Sequence, residues 1–116
     1  MADKALFMGW NRPVIGREKE AAELFARALA YYGELQSAGT IESFEPVIMS
    51  RHGGDLNGFI MLRGDTDKLN ALKEDDKFLD LVIETGHICD GFGIVDCYIG
   101  AKMMDVMGRW TKLVSK

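Results

Sequence analysis

Ala5-Leu6-Phe7-Met8-Gly9-Trp10, closed by Asn11-Arg12-Pro13, is the stretch on which the reading of this chain turns. Its length is short for a helix, and the proline behind it favours a strand. Both faces of that strand are apolar, with Leu6, Met8 and Trp10 pointing one way and Ala5 and Phe7 the other. A sheet with one wet face alternates apolar with polar side chains. This strand asks for cover on both sides.

Downstream lies the clearest helical signal. From near Arg17, apolar side chains at Ala21, Leu24, Phe25, Ala28, Leu29, Tyr32 and Leu35 recur in steps of three and four, and Gly39 suits a left-handed cap. Residues 41–50 and 58–63 read as two strands around Gly53-Gly54, a glycine pair that signals a two-residue hairpin turn. That turn sets Ile48 against Phe59 and Pro46 against Met61, with Val47 opposite Ile60 and Met49 opposite Gly58. Pro46 lacks a backbone donor, so its strand belongs at a sheet edge. Asp65 or Thr66 caps a second helical region, broken near Asp75 and ended by Gly86. A fourth strand over about residues 88–99 contains Gly91 and Gly93, marks of a bulge or sharp twist. A last helix, about 101–114, carries Met103, Val106, Met107, Trp110, Leu113 and Val114 on one stripe.

The chain has 116 residues, 18 acidic and 14 basic, with a net charge of −4 and an apolar fraction of 47 %. This is the composition of one globular domain spanning residues 1–116, not of a disordered chain. Weak acidity argues against gripping nucleic acid, and no apolar run approaches the roughly 20 residues that cross a bilayer. Met1-Ala2-Asp3-Lys4 leads straight into the first strand without a signal-peptide pattern, so the expected compartment is the cytoplasm. Cys89 and Cys97, if on one strand, lie roughly 26 Å apart and cannot bridge. Their spacing matches no metal motif, and neither a metal nor a cofactor is expected.

The element order β-α-β-β-α-β plus a terminal helix is that of an α+β ferredoxin-like domain, an antiparallel sheet of strand order 4-1-3-2 with helices on one face. Two main helices cover one sheet face only. The other, carrying Phe7, Phe59, Met61, Val95, Cys97 and Ile99, exceeds the apolar patch a monomer tolerates, which implies a homodimer through that face. The alternative is that the terminal helix folds across it.

Together with this order, the stretches Gly9-Trp10-Asn11-Arg12-Pro13-Val14-Ile15-Gly16-Arg17-Glu18 and His52-Gly53-Gly54-Asp55-Leu56-Asn57-Gly58 resemble the dimeric α/β-barrel superfamily. The likeness is to small uncharacterised bacterial proteins of its antibiotic-biosynthesis-monooxygenase-like group. The resemblance implies a barrel closed by two ferredoxin-like sheets, and activities that include cofactor-free monooxygenases, haem-degrading monooxygenases, isomerases and lyases. Haem-degrading members use a first-strand asparagine and a late-helix histidine, which Asn11 and His87 match, but their third-strand tryptophan is replaced here by Phe59 and Met61.

Topology places any site at one end of the sheet. There the end of the first strand (Trp10, Asn11, Arg12), the hairpin (Arg51, His52, Asp55, Asn57) and the start of the fourth strand (His87, Asp90) converge. The assignment that follows makes Asn11 an oxyanion donor and His87 an acid or base in one shared cavity. Trp10, Arg12, His52 and Asp90 bind a small anionic or aromatic ligand. Two functions fit: a dimeric cofactor-free monooxygenase or isomerase, or a non-catalytic ligand-binding or oligomeric accessory protein.

Overall fold

The computed structural model describes residues 2–115. Strand β1 (Lys4–Trp10) pairs antiparallel with β4 (Gly58–Gly64) on one side and β6 (Gly93–Tyr98) on the other, and β3 (Ser43–Ile48) adds to the far edge of β4. The long strands thus run β3-β4-β1-β6, while β2 (Arg12–Pro13) and β5 (Cys89–Asp90) form a separate two-stranded ribbon. Four strands are expected from the sequence where the described residues form six, so the written order differs. Among the long strands alone, the neighbours run second, third, first, fourth in chain order. Pro46 sits on the edge strand β3, where a missing N–H costs no ladder bond.

Helices α1 (Glu18–Ser37), α2 (Thr66–Lys73) and α3 (Asp76–Ile88) cover one sheet face. Leu6, Met8, Ile60 and Leu62 meet Ala28, Tyr31 and Tyr32 of α1, Leu69 and Leu72 of α2 and Phe78 of α3 in one core. The expected break falls at Asp75, whose carboxylate accepts from the Lys77 and Phe78 amides and starts α3 afresh. At the head of α2 the cap is not local. Asp3 reaches across to accept from the Thr66 amide at 3.2 Å and hydroxyl at 2.9 Å.

Three local expectations need correction. The hairpin does not turn on Gly53-Gly54; residues 49–57 form a longer loop, and the register moves by one, so Val47 faces Phe59, Pro46 faces Ile60 and Ile48 faces Gly58. The long loop carries its own bonds, Met49 to Asn57 at 2.9 Å and His52 Nε2 to the Leu56 carbonyl at 2.8 Å. The pairing it permits aligns Phe44 with Leu62 on the helix-covered face, which a one-residue slip would undo.

The fourth strand is likewise not continuous. Gly91 adopts a left-handed φ of +66°, β5 turns away to pair with β2, and Cys89 and Cys97 stand in different sheets as free thiols. Finally, α3 does not stop at Gly86. It runs on to Ile88, whose burial at 3 % exposure outweighs the roughly 1 kcal/mol cost of an internal glycine.

The second sheet face stays open. Phe7 and Phe59 stack on it with ring centroids 4.9 Å apart, beside half-buried Met61 and Cys97 and exposed Val95. The last helix, α4 (Gly100–Val114), buries none of its residues. No helix among the described residues is long and apolar enough to cross a membrane.

Candidate functional site

The end of β1, the β3–β4 loop and the β2–β5 ribbon meet as topology requires. The Asn11 amide donates to the Asp90 carbonyl at 2.9 Å, and the Asn57 amide to the Trp10 carbonyl at 3.0 Å. Between this end of the sheet and helices α1 and α3 opens a cavity of about 1020 Å³. Met8, Trp10, Phe25, Tyr32, Ile48, Met49 and Phe92 make its apolar wall, and Asn11, Arg12, Glu18, Arg51, His52, Asp55 and Asn57 its polar rim.

Trp10 is held edge-on to Phe25, with centroids 6.0 Å apart, and lies across the backbone of Gly58. A Cβ at Gly58 would meet the indole at 2.6 Å, so only glycine lets the ring lie there. Asn57 donates from Nδ2 to Asn11 Oδ1 at 2.7 Å and to the Gly54 carbonyl at 3.1 Å. That bond settles which way the Asn11 carboxamide faces. Its oxygen is occupied, and its NH2 group, bonded to no described residue, remains a donor at the rim. Arg51 likewise has no ion pair or hydrogen bond among the described residues, whereas Arg12 sits 3.8 Å from the exposed Asp90 carboxylate.

His52 is a structural member of the rim. Its Nδ1 accepts from the Gly54 amide at 3.2 Å and its Nε2 lies 2.8 Å from the Leu56 carbonyl, so both ring nitrogens are engaged. The cavity shared by Asn11 and His87 is not what the structure holds. His87 lies on the last turn of α3 with Nδ1 on the Ile83 carbonyl, outside the lining, and Asp90 also lies outside it. An i to i−4 bond to its own helix turns the His87 ring toward the exposed side.

Phe25, Tyr32, Cys89, Arg51 and Asn57 line the cavity but are not among the residues assigned from sequence. Phe25 and Tyr32 belong to the α1 stripe, and a stripe residue facing a cavity has the same periodicity as one facing the core. Burial pushes the Tyr32 phenol up, so it stays neutral and donates to Met8 Sδ at 3.5 Å. Burial, then the nearby Asp90 carboxylate, pushes the Cys89 thiol up as well, which disfavours a thiolate nucleophile.

The chain matches no protein-family model and no curated protein. Solved structures that share its fold include the following two. A dimeric protein of unknown function with a ferredoxin-like fold, from Bacteroides fragilis NCTC 9343, superposes with a TM-score of 0.58 at 10 % identity, over 83 % of this chain and 96 % of its own. The protein PA3566 from Pseudomonas aeruginosa gives 0.57 at 19 % identity, over 87 % and 97 %. At these identities the likeness is one of fold. This is a ferredoxin-like α+β protein with an antiparallel sheet.

Proposed function

We propose that the protein is a homodimeric small-molecule-binding protein that takes a planar aromatic anion into the cavity between its sheet and helices. The observation that carries this is the lining: an aromatic and aliphatic wall ends in a rim where the Asn11 NH2 and the Arg51 guanidinium have no partner among the described residues. Both are donors suited to an oxyanion or carboxylate. Dimerisation through the open sheet face is supported by its stacked Phe7 and Phe59 and by the dimeric neighbour of the same fold.

Binding is the reading favoured over acid-base catalysis, since His52 is engaged on both nitrogens and His87 lies outside the cavity. A cofactor-free monooxygenase would use the same Asn11 donor to stabilise a substrate oxyanion.

Trp10 supplies the assay. In a Trp110→Phe variant, emission from the cavity tryptophan is titrated with 1-hydroxy-2-naphthoate, with naphthalene as the neutral control. Saturable quenching by the anion, weakened about tenfold or more by Asn11→Ala or Arg51→Ala, is expected, as loss of a charged hydrogen bond predicts. Unchanged emission at millimolar anion, or equal affinity for naphthalene, would overturn the assignment. Oxygen uptake with a quinol in the same cuvette separates monooxygenase from binder.

A further inference from the structure

We infer that α4 is an exchanged arm, seated in solution on the body of a second copy of this chain; the inference rests on the dimer reading above and goes beyond it. Met103, Met107, Trp110 and Leu113 repeat at helical spacing and are 41 %, 48 %, 58 % and 64 % exposed. Fifteen residues are about the length at which an isolated helix is marginal in water, so a stripe this regular needs cover to be stable.

Its own chain does not supply that cover. The helix begins at the left-handed Gly100, just past the end of β6, and its ion pairs among the described residues are internal, Lys102 and Arg109 both reaching Asp105. The Cα radius of gyration is 15.8 Å, against about 13 Å for a compact domain of this length, as a projecting arm requires.

Charge selects the occupant. The arm carries Lys102, Arg109 and Lys112 against Asp105 alone, while the whole chain has a net charge of −4, so the body behind the arm is more acidic than the total. An anionic bilayer would attract the arm and repel that body. A second copy instead offers an acidic body, already held close by the paired sheet faces. Reciprocal exchange across the two-fold axis of that dimer then covers both arms in one closed assembly.

Trp110 reports the outcome, as the difference in emission between wild type and Trp110→Phe at each concentration, alongside sedimentation. The expected result is a dimer in which Trp110 emits at shorter wavelength and resists acrylamide, with both properties lost in parallel as dilution gives monomers. Met107→Asp, exposed within one chain and therefore compatible with folding, should weaken the dimer at least tenfold. A dimer with water-exposed Trp110 and no response to Met107→Asp overturns arm exchange and leaves the sheet-face dimer standing. Shielding that persists in monomers places the arm on its own body and also overturns it. A monomer at every concentration, with Trp110 shifting only on phosphatidylcholine vesicles containing phosphatidylserine, overturns both readings in favour of a lipid surface.

Discussion

Helix α1 delivers Leu24, Ala28, Tyr31 and Tyr32 to the core, whereas α4 buries none of its residues despite a stripe of equal regularity. Their polar faces differ in the same way. Arg27 and Glu34 of α1 pair with Glu84 and Lys77 of α3, but among the described residues the ion pairs of α4 close within the helix. The lesson is that periodicity states that a face will be covered and leaves open by what. For α1 the cover is the sheet of the same chain, because a right-handed β-α-β crossover returns the helix to its own sheet. For α4 the described residues of the same chain supply no such cover.

The contrast is broken most directly at two leucines. Leu24→Ala in α1 should cost about 2–5 kcal/mol in urea unfolding, through lost burial and a residual cavity. Leu113→Ala in α4 should leave unfolding of the monomer within about 0.5 kcal/mol. Equal costs would mean that α4 is packed within one chain.

The open sheet face comes next. Phe59→Asp should leave the helix-covered core intact and weaken dimerisation by several kcal/mol, since it would bury an unpaired carboxylate. A dimer of unchanged affinity by sedimentation would put the contact elsewhere.

Within the body, Gly58→Ala sharpens the comparison at the cavity end. The added Cβ pushes against the Trp10 indole, so a loss of about 1–3 kcal/mol and a changed Trp10 emission are expected together. Asp75→Ala removes the two cap bonds of α3 and should cost about 1 kcal/mol, measurable by thermal melting.

The smallest effect belongs to the pair linking α1 to α3. Hydrogen bonds from Arg27 hold the Glu84 carboxyl below the ordinary glutamate range. A lowered folded value means stabilisation that is present above the unfolded glutamate value and is lost as the pH falls through the lowered one. Both side chains are largely solvated, so Arg27→Met should slightly flatten the acid limb of the stability profile and leave neutral-pH stability nearly unchanged. A large loss at neutral pH would show a tighter coupling of the two helices than their exposure implies.

Much of the candidate site was legible because it follows from topology. Once β1 and the β3–β4 hairpin are recognised, Trp10, Asn11, Arg12 and His52 must share one end of the sheet, and all four line the cavity. His87 was not placed correctly because its position depends on whether α3 stops at Gly86 or runs two residues further. Ile88 decides that by tertiary burial, which no local propensity encodes. The roles of Asn57 and Arg51 were hidden for a related reason: a loop residue acquires its orientation from the hydrogen bonds the closed loop makes.

The sequence by itself determined the kind of each main element, the edge position of the Pro46 strand, the helix break at Asp75 and the apolar character of both sheet faces. These are set by backbone stereochemistry and by periodicities of two and 3.6 residues, which act over a few neighbours. Only the tertiary structure decided the hairpin register, the parting of β5 from β6 at Gly91, and the way Asn57 turns the Asn11 amide toward the rim. It also decided that α4 buries none of its residues. Each of those depends on contacts between residues far apart in the chain. Their energies are comparable with the local preferences they override, so neither periodicity nor propensity can rank the alternatives.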